Sequence, residues 1–358
     1  MDAFVYTAMP VRVVFGAEAW STLKAEVALL GVRKALVLCT ARQRALAQQV
    51  SEVLDQDCAG IYDQAVMHVP VTTVHDALAV VRNLQADSMI AIGGGSTIGL
   101  AKALAAITTL PILAVPTTYS GSEMTSVYGI TKDGAKHTIK DPRVLPRTVI
   151  YDPSLTLRLP IDISVVSGMN AIAHSAEGLY AKDGNPVVAL MAEEGIRAMA
   201  DGLRALNRQA DSLKARSDCL YGAWLSGMVL GNAGMALHHK LCHVLGGSFN
   251  LPHAQTHSVM LPHSLAYNAA AAVPAMQRIS RALGRDQEAA PTALYRLAQE
   301  LGAPLALQEI GMKETDLDLA ADIALSKPYW NPCALEYEGV RALLQDAFQG
   351  RPPHFGTI

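Results

Sequence analysis

The texture of the chain changes once, near residue 160, and that change limits what it can fold into. Before it, short apolar runs alternate with amphipathic stretches of helical spacing, the pattern of a parallel sheet covered by helices. Val11–Phe15, Ala35–Leu38, Ser88–Ile92, Ile112–Val115 and Thr148–Tyr151 read as strands. Arg42–Leu54 and Thr97–Ile107 read as helices, with a third after Thr72 or Thr73, either of which could cap it. Ser126–Thr131 and Lys136–Ile139 flank Asp133-Gly134, a hairpin signal. After Pro160 the strand-like runs stop. Long Ala-, Leu- and Met-rich segments follow: Val165–Lys182, Pro186–Leu206, Leu213–Gly231, Ala270–Leu283, Ala290–Leu301, Glu314–Ala324 and Glu338–Gln349. The expected fold is an α/β N-terminal domain over 1–160 and an all-α C-terminal domain over 161–358.

Bulk properties exclude several function classes. With 358 residues the chain exceeds what one core usually holds, which agrees with two domains. Apolar residues are 51% and charged residues 17%, too greasy for a disordered protein. The net charge of −3 comes without a long basic run, so nucleic acid is not an expected partner. Five scattered cysteines, with no C-x-x-C pair, fit reduced thiols better than a disulfide framework. The start, MDAFVYTAMPVRVVFG, reads as strands rather than a signal peptide. No apolar run approaches the ~18 residues of a membrane span, so a cytoplasmic protein without a membrane partner is expected.

Gly93-Gly94-Gly95-Ser96 sits where a strand hands over to a helix. Glycines let the backbone approach a phosphate, and the N–H groups opening a helix favour anions. The loop is either a pyrophosphate cradle or a tight strand-to-helix turn. The usual G-x-G-x-x-G after the first strand, with its acidic ribose reader, is absent. Thr40 and Arg42 follow the second strand, where a ribose would lie. Neutral Thr40 would not repel a 2′-phosphate and Arg42 could pair with one, which admits NADPH beside NADH; otherwise Arg42 is a solvated helix-start residue.

Six of the eleven histidines fall between His238 and His263. His239 and His243 are four apart and share a helix face, as do Asn170 and His174. His253 follows the turn-rich GGSFNLP, which could swing it back beside them as a loop histidine. Two helix faces plus a loop histidine can assemble a metal or proton-transfer site. His238, His257 and His263 read as hydrogen-bonded core residues.

GGGSTIGLAK, PTTYSGSEMT, DPRVLPRTVIYDP, GMNAIAHSAEG and HHKLCHVLGGSFNLPHA occur in that order and together span most of the chain. The sequence resembles the iron-containing alcohol dehydrogenase superfamily and, within it, the maleylacetate reductase family. That resemblance implies a dehydroquinate synthase-like fold, with an α/β N-terminal dinucleotide-binding domain over 1–160, an all-α C-terminal substrate and catalytic domain over 161–358 and the active site in a cleft, and often a homodimer. It places the pyrophosphate on Gly93, Gly94, Gly95 and Ser96, and the cofactor beside Thr117, Thr118 and Ser122. The metal-dependent members hold Fe(II) or Zn(II) with an aspartate and three histidines; these positions are Asn170, His174, His239 and His253 here, and a further catalytic histidine falls on His243. Two departures stand out. An acid usual three residues past the GGGS serine is Gly99, and the aspartate ligand is the amide Asn170. Three imidazoles and an amide leave a divalent charge uncompensated, whereas a carboxylate is a far better hard ligand. The expectation is NADH or NADPH as cofactor and no tightly bound metal.

The implied reaction reduces the alkene of a small-molecule dicarboxylate, maleylacetate, to 3-oxoadipate in aromatic-compound catabolism. His243 is the expected general acid, His253 and His239 stabilisers or carboxylate anchors, and His174 with Asn170 hydrogen-bond donors. Lys140, Arg143, Arg147 and Lys240 are candidate carboxylate partners, with Lys240 turned about 100° from His239 and so toward solvent. Tyr119 is a candidate substrate contact or a packing residue, and SKPYWNPCAL a candidate cleft lining. The alternatives are a metal-dependent alcohol or aldehyde oxidoreductase of the same superfamily, a lyase-type or polyol-phosphate relative, and a non-catalytic cofactor-binding sensor.

Overall fold

The computed structural model describes residues 3–132 and 135–354. Two compact units emerge: Ala8–Leu159, and the chain from Pro160 onward together with the residues that precede Ala8.

The first unit contains β1 (Arg12–Phe15), α1 (Leu23–Leu29), β2 (Ala35–Leu38), α2 (Arg44–Leu54), β3 (Cys58–Tyr62), α3 (Val71–Asn83), β4 (Ser88–Gly93), α4 (Gly95–Thr108), β5 (Ile112–Pro116), β6 (Val127–Lys132), β7 (Ala135–Lys140) and β8 (Thr148–Tyr151). Six strands form one sheet in the order β1-β8-β5-β4-β2-β3, and every pairing is parallel. Successive side chains on a strand point to opposite faces. Leu36, Leu38, Met89 and Ala91 therefore join Leu78 and Val81 of α3 and Ile98, Ala101 and Leu104 of α4 in one core. Val37, Ile90, Ile92, Leu113 and Val115 join Val27 of α1 and Val50 and Leu54 of α2 in the other. Burial on both faces is why these strands read as unbroken apolar runs.

The order also locates a crevice. From β2 the chain steps outward to β3, and from β4 it steps the opposite way to β5. α2 and α4 consequently cover opposite faces, and ligands of open α/β sheets bind at such a reversal, beyond the strands' carboxyl ends.

Three local features differ from what the residue pattern suggests. The edge strand β3, CAGIY, carries little strand signal, because it is short, half-buried and interrupted by Gly60. Thr72 and Thr73 do not cap α3; it starts at Val71 after Pro70, with no side-chain cap bond. The hairpin strands pair antiparallel with Tyr128 opposite Ile139, while the expected Asp133-Gly134 turn lies outside the described residues.

The second unit is helical, with no strand among its described residues: α5 (Ile161–Gly178), α6 (Pro186–Arg208), α7 (Leu213–Asn232), α8 (Leu237–Ser248), α9 (His253–Asn268), α10 (Val273–Ala282), α11 (Ala290–Glu300), α12 (Leu317–Leu325) and α13 (Tyr337–Gln349). Asn185 caps α6 by accepting the Val187 and Val188 N–H groups, with Pro186 at the first helical position. α5 is buried continuously from Ser164 to Gly178 and packs against α6, α7 and α9. Between α8 and α9 the chain turns through Asn250 at φ 56°, and the Leu251 N–H returns to the Leu245 carbonyl. That tight reversal lays α9 back on α8. Among the described residues no helix is long and apolar enough to cross a membrane.

Candidate active site: an anion cradle and a histidine cluster

In the α/β unit the glycine run makes a tight turn from β4 into α4. At Gly93 φ is +154°, and a Cβ there would lie 2.5 Å from Thr97 Oγ1 and 2.7 Å from Gln43 Oε1. At Gly94 a Cβ would meet Thr118 Cγ2 at 2.8 Å, whereas at Gly95 it would meet nothing within 4 Å. The pattern predicts a helix from Thr97, but α4 already begins at Gly95, so Gly95 and Ser96 form its first turn. N–H groups there lack intrahelical acceptors and carry the positive end of the helix dipole. Across the strand reversal, Thr117 N–H donates to the Gly93 carbonyl at 3.0 Å. Gln43 Nε2 donates to Thr117 Oγ1 at 2.6 Å, and Thr40 Oγ1 donates to Gln43 Oε1 at 3.3 Å. Gln43 escapes sequence reasoning because an amide at a helix start reads as surface. Arg42 is exposed, whereas Arg44 is taken up by Asp63 at 2.5 Å.

The loop after Thr118 is held from inside. Lys102 Nζ, fully buried, donates to the carbonyls of Ser122 (2.5 Å), Thr125 (2.7 Å) and Val127 (3.0 Å) and to Thr125 Oγ1 (2.8 Å). Burial pulls the Lys102 ammonium down to about 7, against the opposing field of Glu123. Burial likewise raises the Glu123 carboxyl, which accepts the Tyr151 hydroxyl at 2.7 Å. Ser122 and Ser120 hydroxyls lie 3.2 Å apart, half-buried beside this loop. Of the two roles expected of Tyr119, its position favours packing: its side chain has no exposure and its hydroxyl lies 3.5 Å from Thr156 Oγ1.

In the helical unit α5, α8 and α9 bring their histidine rings together. Centroids of His174 and His239 are 5.1 Å apart, His239 and His243 6.2 Å, and His243 and His253 6.3 Å and stacked. All the expected histidines thus converge, although His253 is the first residue of α9 and not a loop residue. Two histidines expected to be plain core residues, His238 and His257, are part of the cluster. His257 lies 4.4 Å from the His253 ring and 4.9 Å from that of His239, and its Nδ1 is 2.9 Å from His238 Nε2. His263, also buried, stands further along α9 in the field of Asp346 on α13, with burial lowering it to about 4.

The residue that organises the cluster is one that sequence reasoning also misses. Glu177 is fully buried on α5 and takes His239 Nδ1 at 2.5 Å. It also accepts the backbone N–H groups of Ala236 (3.1 Å), His238 (2.9 Å) and His239 (3.3 Å), so it caps α8 from a neighbouring helix. Burial alone would raise its carboxyl, but the His239 hydrogen bond and the surrounding charges hold it down to about 2. An ionised carboxylate can only accept, so His239 donates through Nδ1 and its orphaned, buried Nε2 faces the site. Burial, reinforced by the neighbouring imidazoles, keeps His174 and His257 well below the usual histidine range, and His238 at about 3. Glu177 is visible in the sequence as i+3 from His174 and i+7 from Asn170, and His257 as i+4 from His253.

The donor set does not fit the divalent ion that the superfamily's metal-dependent members hold. Where they supply a carboxylate, this chain offers Asn170 Oδ1, a neutral amide oxygen buried without a partner. The donors of His174, His239 and His253 do not form a group within 4.8 Å of one another among the described residues. No carboxylate in the set would offset the ion's charge.

The candidate carboxylate partners differ in availability. Arg143 is engaged by Asp141 through Nε and Nη2, the latter at 2.6 Å, and both stay exposed or half-buried at a turn. Lys140 and Arg147 are exposed. Lys240 is not turned to open solvent as expected: it is half-buried, with Nζ 5.8 Å from the centre of the Tyr329 ring. SKPYWNPCAL is tied to α8 and α9, Asn331 bonding reciprocally with Asn268 (2.7 and 3.1 Å) and accepting the Leu237 N–H at 3.3 Å.

Comparison with known proteins agrees with this architecture. Residues 10–153 match the iron-containing alcohol dehydrogenase model, and 164–348 the C-terminal model of the same family. A maleylacetate reductase from Burkholderia cepacia is 54% identical over 353 residues, covering 99% of this chain and all of that protein. The crystal structure of maleylacetate reductase from Rhizobium sp. strain MTP-10005 superposes with a TM-score of 0.94 at 46% identity, over 99% of this chain and 100% of that one. A structure from Ralstonia eutropha JMP134, described as a putative alcohol dehydrogenase, gives 0.98 at 59% identity over 99% and 100%. The fold and site define an oxidoreductase of the α/β-plus-helical dehydrogenase type. The chain belongs to the iron-containing alcohol dehydrogenase family, in its maleylacetate reductase branch.

Proposed function

We propose that the chain catalyses NADH- or NADPH-dependent reduction of maleylacetate to 3-oxoadipate, with no metal required. The observation that carries this reading is the amide at Asn170 beside a cluster of imidazoles, in a chain about half identical over its full length to proteins named maleylacetate reductase.

Maleylacetate holds a carbon–carbon double bond conjugated to a ketone. A nicotinamide cofactor held by Gly93–Ser96, Thr117 and Thr118 would supply the hydride, which the alkene carbon remote from the ketone accepts. The electron pair moves onto the ketone oxygen as an enolate, and a proton delivered to the carbon beside the ketone completes the reduction. NADH and one proton are consumed per 3-oxoadipate formed. The reaction therefore requires a hydride source, a donor to the enolate oxygen, and an acid for carbon. Asn170 offers an amide, and His174, kept neutral by burial, an N–H that does not depend on protonation near neutral pH. His243 serves as general acid, with His253 and His239 stabilising the enolate or a carboxylate. Gly93–Ser96 receives the pyrophosphate; Thr40, Thr117, Thr118 and Ser122 flank the cofactor, with Gln43 joining Thr40 to Thr117. Lys140, Arg143 and Lys240 remain the candidate partners of the substrate carboxylates. The reading extends to a cytoplasmic homodimer in aromatic-compound catabolism.

The test is to follow NADH absorbance with maleylacetate, using protein whose metal content has been measured and then chelated. Turnover that survives chelation is expected, as is a loss of at least about 100-fold in kcat for His243→Ala with the fold intact. Activity that vanishes with the metal, or folded His243→Ala and His253→Ala variants that keep most of their kcat, would overturn the reading. The metal-dependent alcohol dehydrogenase alternative predicts stoichiometric iron or zinc and activity on simple alcohols.

A further inference from the structure

We infer that His238, Cys242 and His257 form a second, thiolate-bearing site for a soft divalent ion such as Zn(II), distinct from the family's aspartate-histidine set, and that its occupation inhibits the enzyme. Among the described residues this is the group of three His, Cys, Asp or Glu side chains whose ligand atoms lie within 4.8 Å of one another, and all three are buried. Helix spacing builds half of it: His238 and Cys242 are one turn apart on α8, with Sγ 3.7 Å from His238 Nε2. α9 supplies the rest, His257 Nδ1 standing 2.9 Å from the same Nε2.

The geometry is close to what an ion needs. Metal–nitrogen bonds of about 2.0–2.1 Å and a metal–sulfur bond of about 2.3 Å at tetrahedral angles put two nitrogens about 3.3 Å apart, and nitrogen and sulfur about 3.6 Å apart. The separation of Cys242 Sγ from His238 Nε2 already matches, and the two imidazoles must part by a few tenths of an ångström in exchange for their mutual hydrogen bond. The chemistry also differs from that at Asn170. Cys242 gives up its thiol proton to solvent and supplies the anion which the amide cannot, and a thiolate with two imidazoles favours Zn(II) over hard ions. Glu177, bonded to the His238 backbone N–H at 2.9 Å, adds a second negative charge close by. Inhibition follows from position: the His257 ring rests against those of His253 and His239, so turning it onto an ion displaces two members of the cluster. The inhibition arm rests on the proposed activity; the binding arm does not.

The experiment titrates metal-free protein with Co(II), reading the thiolate-to-cobalt charge-transfer absorption, and with Zn(II), reading proton release. One Co(II) per chain with a charge-transfer band is expected, lost in Cys242→Ala and in His257→Asn, each checked by circular dichroism. Zn(II) should release about one proton per ion at neutral pH and slow wild-type turnover at least tenfold, while Cys242→Ala, relative to its own metal-free rate, loses less than twofold. Absence of the band, or a band that persists in either folded variant, overturns the site. Binding without inhibition overturns only the inhibitory role, and inhibition that Cys242→Ala fails to relieve places the ion elsewhere.

Discussion

Glu177 Oε2 lies 2.5 Å from His239 Nδ1, and this contact joins the buried helix α5 to the helix that carries three of the clustered histidines. The same carboxylate takes three backbone N–H groups at the start of α8. It fixes both where α8 begins and which nitrogen of His239 carries a proton. Replacing Glu177 by Ala orphans these donors in a dry interior, so a loss of at least about 3 kcal/mol in stability is expected from urea unfolding. Glu177→Gln should fold better yet invert the His239 tautomer wherever its amide N–H faces Nδ1. Histidine ¹⁵N spectra read that inversion directly, and an unchanged tautomer with unchanged kcat would remove Glu177 from any positioning role.

Acid should weaken the fold in two stages. The unfolded chain protonates its histidines near 6.5, while His174, His238 and His257 stay neutral in the fold, held down by burial. Their stabilising contribution is complete above 6.5 and is lost as pH falls below it, down to about 3 for His238. Glu177, held at about 2 against 4.5 unfolded, adds a further loss below 4.5. Each group contributes a slope of at most about 1.4 kcal/mol per pH unit. The urea midpoint is expected to drop steadily from pH 7 to pH 5, and a flat midpoint over that range would contradict the burial of these imidazoles.

The two inner glycines of the cradle should separate folding from cofactor binding. A Cβ at Gly95 meets no protein atom, and alanine improves a helix by up to about 1 kcal/mol, so Gly95→Ala should melt no lower than wild type. The same methyl occupies the space proposed for pyrophosphate, and KM for NADH should rise at least tenfold. Gly94→Ala, which collides with Thr118, should lose stability as well. A Gly95→Ala enzyme with an unaltered KM would move the phosphates elsewhere.

Arg42 tests the coenzyme reading. It is exposed beyond β2, close in sequence to Thr40, and outside the ion pair that occupies Arg44. If it meets a 2′-phosphate, Arg42→Ala should lower kcat/KM for NADPH by about 10- to 100-fold, the worth of a charge-assisted hydrogen bond, and leave NADH unaffected. An unchanged NADPH-to-NADH ratio reduces Arg42 to a solvated side chain.

Asn170→Asp restores the carboxylate that this chain lacks. The variant is expected to retain about one Zn(II) or Fe(II) per chain through desalting, measured by elemental analysis, where wild-type protein washed the same way retains none at that position. Its turnover of maleylacetate should fall, since an amide donor has become an acceptor. Failure of the variant to hold metal would show that more than one residue separates this site from its metal-dependent relatives.

Much of the fold and of the candidate site is legible in the amino-acid order. Unbroken apolar runs such as Ala35–Leu38 announce a parallel sheet, because both faces of such a strand are covered. The i, i+4 pairs Asn170/His174 and His239/His243 announce shared helix faces, and α5 and α8 bring the histidines of both pairs together. Less visible are residues whose role depends on a second element. Gln43 matters because α2 and β5 converge on it, and Glu177 because α8 begins beside it. Tyr119 goes the other way, since its place in a suggestive loop says nothing of the core into which the loop folds.

The sequence by itself determined the order of sheet and helices, the glycine run ahead of α4, and the amide at position 170, because periodicity, backbone freedom and ligand charge are local properties. Only the tertiary structure decided that His238 and His257 join the cluster, that Glu177 holds His239, and that Cys242 faces two imidazoles. Those relations depend on how α9 folds back over α8 against α5, a packing geometry that residue spacing within any one helix does not encode.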